Sequence, residues 1–237
     1  MLKWKYLFVA ILPFLLSGCK KQNQVQKKEP EVVTVEANLA TPALLKFNNV
    51  VILGNSITYA GPNIPLGWYG DWGMAASAEE KDYVHILKKC FQLRNPDVVV
   101  SVKNVQEFEL DFTGYNFDTQ LKSLRDSHPD LVILRIGENL KAGIDLNVFE
   151  ARYKDLINYF KADNPKVIVV GVSTVFKGMA DDIMIKYPPY VSLKTITEDQ
   201  SNMALGLFEN YAVATHPGDT GMRNIASLIW LKIKTLN

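Results

Sequence analysis

Cysteine is almost missing from this 237-residue chain, which holds only Cys19 and Cys90, and Cys19 sits in an N-terminal stretch unlike the rest. No disulfide framework can be built from that pair. Histidine is equally scarce, with three in all, and none falls in a Cys/His cluster with metal-ligand spacing. No glycine-rich loop offers a phosphate cradle. The chain is therefore expected to need neither metal nor cofactor. Excess charge is lacking too: 26 Lys and Arg stand against 25 Asp and Glu. No basic block appears beyond the N-terminal stretch, which argues against a nucleic-acid partner. Finally, no apolar run reaches the roughly 20 residues of a permanent membrane span.

The N-terminus reads as an address. Lys3 and Lys5 precede an apolar run from Tyr6 to Leu16, the length of a signal-peptide core. The run ends in Leu16-Ser17-Gly18-Cys19, which resembles the bacterial lipoprotein box. That resemblance implies cleavage before Cys19 and acylation of its thiol and new amino group, tethering the product to a membrane. An ordinary secretory leader with an incidental cysteine is the alternative. Residues 1–18 are thus expected to be a leader, and the expected location is the bacterial cell envelope, exported and lipid-anchored. Residues 19–43 are rich in Lys, Gln and Glu with too few apolar side chains for a core, and read as a flexible tether. Residues 44–237 suit one domain of ordinary size.

Within that domain, apolar runs alternate with helical patterns. Val50 to Leu53, Asp97 to Lys103, Leu131 to Ile136, Lys166 to Val170 and Val191 to Leu193 read as strands. Glu79 to Leu93, Phe117 to Ser127, Val148 to Phe160, Glu198 to Phe208 and Asp219 to Leu236 read as helices, with Asp219 or Thr220 as a plausible N-cap for the last. The alternation predicts a doubly covered parallel sheet of about five strands in a three-layer α/β/α sandwich. Arg135 is the one polar residue in the third strand. Cys90 falls on an amphipathic helix and reads as a buried, inert thiol. His85 on the same helix reads as structural. The long loop from Tyr59 to Ala76 carries Trp68, Tyr69 and Trp72, rings that either pack the loop onto the sheet or line a pocket.

The geometry of such a sheet gathers Ser56, Asn104, Gly137 to Asn139 and Gly171 at one edge, because each follows the C-terminal end of a strand. Gly54-Asn55-Ser56 taken alone is also an ordinary turn. Together, Gly54-Asn55-Ser56-Ile57-Thr58, Gly137-Glu138-Asn139 and His216-Pro217, in that order, resemble the first, third and fifth blocks of the SGNH/GDSL superfamily of serine esterases. The resemblance spans about Val50 to Ile233 and implies a flavodoxin-like fold. It implies Ser56 as nucleophile, His216 as general base and Asn139 as oxyanion donor. The α/β-hydrolase elbow fits less well, since Thr58 stands where it needs glycine.

Two positions depart from the family. Counting from Asn104 of the second block, Glu109 occupies the place of the glycine whose backbone N–H serves the oxyanion. Val213 occupies the place of the aspartate three residues before the histidine. His216 could then be oriented by a backbone carbonyl, that of Val213 among them, or by Asp219 or Glu138, or the chain could be a binding relative without catalysis. The dyad is favoured, because an imidazole N–H needs only an acceptor. The sequence therefore reads as an exported esterase of a small-molecule or glycan ester, such as an acetyl ester on a carbohydrate, with Trp68 and Trp72 as candidate sugar-stacking rings. A non-catalytic glycan-binding lipoprotein on the same fold is the alternative, and a structural envelope protein the third reading.

Overall fold

The computed structural model describes residues 34–236. The expected leader, Cys19 and most of the expected tether lie outside the described residues. Five parallel strands form the core: β1 (Asn49–Gly54), β2 (Val99–Asn104), β3 (Leu131–Arg135), β4 (Ile168–Val172) and β5 (Tyr190–Val191). Their order is β2-β1-β3-β4-β5, with Gly54 in register with Asn104 on one side and Arg135 on the other. This is the flavodoxin-like order, whose direction reverses at β1. The crevice above β1 and β3 is where such folds place their chemistry.

Both faces of the sheet are covered, so β1 and β3 are apolar on both sides. Val50 and Ile52 point into one core together with side chains of α2 (Tyr83–Gln92) and α8 (Asp219–Ile233). Val51 and Leu53 point into the other, against α3 (Gln106–Leu110), α4 (Phe117–Asp126), α5 (Leu146–Lys161) and α6 (Asp181–Met184). The period of two along each strand thus feeds two separate cores. Side-chain caps start the helices where the sequence supplies them: Asp82 for α2, Asn116 for α4 and Asp145 for α5.

Three expectations need correction. Residues 34–43 are folded, not tether. Val35–Ala40 forms α1, capped by Thr34, and buries Leu39. Asn38 Nδ2 donates to the Ser227 carbonyl (2.6 Å) and Oγ (2.8 Å), and Trp230 Nε1 donates to the Thr41 carbonyl (2.8 Å). The segment holds no lysine and one glutamate, and its Leu39 and Ala43 are buried in the core that α8 shares, so it belongs to the domain. Second, Glu198 to Phe208 is not a helix: a single 3₁₀ turn spans Gln200–Asn202. Its backbone bonds go sideways, Ala204 N–H to the His216 carbonyl (2.9 Å) and Gly218 N–H to the Asn202 carbonyl (2.9 Å). Gly206 adopts φ +79°, and Leu205 and Leu207 face outward, so the apolar spacing marked no buried face. Third, Asp219 is the first residue of α8 and Gly218 occupies the cap position.

Candidate active site

The turn after β1 is set by Gly54. A Cβ there would meet Thr58 Oγ1 at 1.8 Å and the Arg135 carbonyl at 2.8 Å, so only glycine lets the chain fold back so closely. The Asn55 carbonyl accepts from Thr58 and Tyr59 N–H (2.9 and 3.0 Å), and Thr58 Oγ1 lies 2.7 Å from Tyr83 Oη. Ser56 is left half-buried at the open side of this turn. Its Oγ lies 2.8 Å from His216 Nε2, although 160 residues separate the two in sequence. His216 lies just past Thr215, the cap of α7 (Tyr211–Ala214).

Burial holds the His216 imidazole below its ordinary pKa, helped by the Arg135 guanidinium and opposed by the Ala212 and Val213 carbonyls. At neutral pH the ring is therefore the free base that a serine nucleophile requires. The two carbonyls lie close enough to pull on the ring. Its buried Nδ1 nevertheless makes no hydrogen bond among the described residues. Neither carboxylate named from the sequence supplies one. Asp219 accepts from Ser77 N–H (2.7 Å), Ser77 Oγ (2.8 Å) and Lys81 Nζ (2.9 Å). Glu138 accepts from Asn55 Nδ2 (2.6 Å), Val175 N–H (3.1 Å) and Arg135. Ser56 and His216 are thus in contact, with no carboxylate among the described residues on the imidazole.

Glycine is also required at 137, where φ is +120° and a Cβ would lie 2.8 Å from that of Ala180. The turn it makes carries Asn139 to the same edge, and there the arrangement departs from expectation. Asn139 donates both its backbone N–H (2.7 Å) and Nδ2 (2.6 Å) to Glu109 Oε2. Glu109 Oε1 accepts from Gly137 N–H (2.9 Å) and Asn55 Nδ2 (3.0 Å). Glu109 thus presents a carboxylate, 1 % exposed as a residue, to four donors. Burial, and then the Glu138 charge, push its pKa up against those hydrogen bonds.

Arg135, fully buried, completes the cluster by donating to Asn55 Oδ1 (2.9 Å) and to Glu138. The Asn55 amide therefore links Glu109, Glu138 and Arg135 immediately beside Ser56. The sequence reading did not bring these groups together, although a lone arginine in an apolar strand was the available signal. Asn104 is structural: it donates to the Tyr59 carbonyl (2.8 Å) and accepts from Gln106 N–H (2.8 Å).

The tryptophans hold the loop. Trp68 is 3 % exposed, donates to the Ala60 carbonyl (3.0 Å) and packs edge-on against Trp72 with centroids 5.7 Å apart. Trp68 is therefore not a pocket wall beside Ser56. Trp72 donates to the Ala76 carbonyl (2.8 Å) and, half-buried, borders a 210 Å³ cavity with Tyr59, Asp71 and His85. A larger cavity of 690 Å³ opens between the loops at 64–69 and 207–210, with Tyr69, Phe208 and Glu209 in its walls.

No protein-family model and no curated protein matches the chain. Solved structures do. A two-domain esterase active on acetylated mannans, co-crystallised with mannopentaose, superposes with a TM-score of 0.52 at 22% identity, over 85% of this chain and 52% of that one. The two share the parallel-sheet α/β fold. A Corynascus thermopiles (Myceliophthora fergusii) family 2 carbohydrate esterase with a carbohydrate-binding domain matches at TM-score 0.50 and 13% identity, over 81% of this chain and 67% of that one. The salicylyl-acyltransferase SsfX3 of a tetracycline biosynthetic pathway matches at 0.50 and 14%, over 78% and 54%. The chain spans about half the length of the first of these.

Proposed function

We propose that this SGNH-fold chain is a serine esterase acting on a carbohydrate-bound carboxylic ester such as an acetyl ester, exported and lipid-anchored through Cys19. The observation that carries the proposal is the 2.8 Å contact between Ser56 Oγ and His216 Nε2 at the crevice edge of the sheet. In this reading Ser56 attacks the acyl carbon while His216 takes its proton and returns it to the leaving alkoxide. A water then cleaves the acyl-enzyme by the same route. Ser56 N–H and the free N–H of the Asn139 amide hold the oxyanion, each donor worth roughly 3 kcal/mol in the transition state. No cofactor enters the cycle. The carbohydrate assignment draws on the esterase active on acetylated mannans and the family 2 carbohydrate esterase among the structures that share the fold.

The test is release of p-nitrophenol from p-nitrophenyl acetate, and of acetate from acetylated mannan, by the protein and its Ser56→Ala variant. Turnover that falls to the buffer rate in Ser56→Ala supports the esterase. Equal rates in both proteins would refute it. The unpartnered Nδ1 of His216 favours a second reading, a glycan-binding relative without catalysis. That reading expects retention on acetylated glycan together with equal, negligible hydrolysis by both proteins. For the anchor, incorporation of labelled palmitate into the expressed protein and its absence from Cys19→Ala is the corresponding check.

A further inference from the structure

Every donor that Glu109 meets is neutral: two backbone N–H groups, at Gly137 and Asn139, and the amides of Asn55 and Asn139. Arg135, the cation of the cluster, pairs directly with Glu138 and reaches Glu109 only through the Asn55 amide. The charge of Glu109 is therefore the one left uncompensated, in a place where water screens little. It also touches the group proposed to receive the substrate. Asn139 Nδ2 lies 2.6 Å from Glu109 Oε2 and has no other acceptor among the described residues, so one N–H remains for a substrate oxygen. An oxygen bound there sits roughly 5 Å from the carboxylate, given ordinary hydrogen-bond lengths on the two arms of one amide.

We propose that Glu109 determines acyl-group specificity: its resident carboxylate fixes Asn139 and closes the acyl site to anionic acyl groups, so that neutral ones such as acetyl are accepted. This rests on the esterase reading above. Coulomb repulsion over the few ångströms that separate the carboxylate from an acyl chain amounts to at least about a tenfold discrimination at the effective dielectric of protein sites.

The experiment compares kcat/KM for two p-nitrophenyl esters of matched chain length, the butyrate and the 3-sulfopropionate, whose sulfonate stays charged throughout. The wild type is expected to favour the neutral ester, and Glu109→Gln to shrink that preference at least about tenfold. A merely structural role would slow both esters alike and leave the ratio unchanged. Should Glu109→Gln not fold, the wild type alone decides. Its preference should decline as pH falls and Glu109 takes up a proton. Of the other charged groups, Glu138 faces Glu109 but is paired with Arg135, and His216 scales both rates together and cancels in the ratio. A wild-type ratio that is flat with pH, or unaltered in a folded Glu109→Gln, overturns the proposal. Turnover of neither ester by the wild type overturns the esterase reading and this inference with it.

Discussion

Arg135 should be the costliest single side chain in the site to remove. Its guanidinium is fully buried, and it faces Asn55 Oδ1 and the Glu138 carboxylate, itself 11 % exposed. In Arg135→Met the apolar volume is largely kept, but Glu138 and Glu109 remain as two buried carboxylates with no cation between them. Breaking a buried pair in this way costs about 3–5 kcal/mol, most of it the desolvation of the stranded charge. A domain of this size has only about 5–15 kcal/mol of stability in total. At about 2–4 °C per kcal/mol, the melting temperature should fall by about 6–20 °C. The assay is urea denaturation followed by far-UV circular dichroism, with calorimetry beside it. Arg135→Met combined with Glu138→Gln removes the stranded charge along with its partner and should regain more than half of the loss. The same substitution should also move the acid limb of kcat/KM to higher pH, because Arg135 is one of the groups holding the His216 pKa down. A loss under about 1 kcal/mol, the range of exposed pairs, would refute the reasoning. So would a double variant as unstable as the single one.

Three further outcomes follow from the geometry. His85 has its pKa raised by its bond to Asp82, which is fully buried and also accepts from Gly73 N–H (2.9 Å). A raised folded-state pKa means stabilisation that is complete below the ordinary imidazole value of 6.5 and lost as pH rises through the folded value, so the urea midpoint should drop across that window and stay level in His85→Gln. Gly137→Ala forces a side chain onto φ +120° and against Ala180, and should destabilise by about 1–3 kcal/mol in the same urea assay. Val213→Asp offers His216 the acceptor its Nδ1 lacks; p-nitrophenyl acetate hydrolysis should rise at least about tenfold at neutral pH, as an oriented tautomer and a stabilised imidazolium predict, while the melting temperature falls because residue 213 is fully buried.

What the sequence disclosed, and what it hid, divides along one physical line. Strands β1, β3 and β4 were legible because a strand buried on both faces must be apolar along its length, and that requirement shows in a single chain without reference to any partner; the edge strands β2 and β5 are only half-buried and showed as short apolar runs. The sheet's direction placed Ser56 and Asn139 at one edge, whereas His216 follows no strand and was put beside Ser56 by the resemblance of His216-Pro217 to the fifth block. The role of Glu109 was not legible. Its side chain is held by four donors that belong to two other loops, and in the sequence Glu109 is only the residue five on from Asn104 in the second block, which says nothing of where its carboxylate points. Residues 34–43 were misread because the Lys- and Glu-rich composition of the preceding stretch was carried into them: they hold no lysine and one glutamate, and Leu39 and Ala43 join a core with α8, a helix almost 190 residues away. The arginine in β3 was the clue to the cluster. A charge in a strand that is otherwise buried on both sides must find an anion, and the carboxylates within reach of the C-terminal end of β3 were those of the second and third blocks. That demand places Glu138 against Arg135, with Asn55 between it and Glu109, and it makes the surroundings of Ser56 an ionic structure, where the turn chemistry of Gly-Asn-Ser alone predicted only a bend.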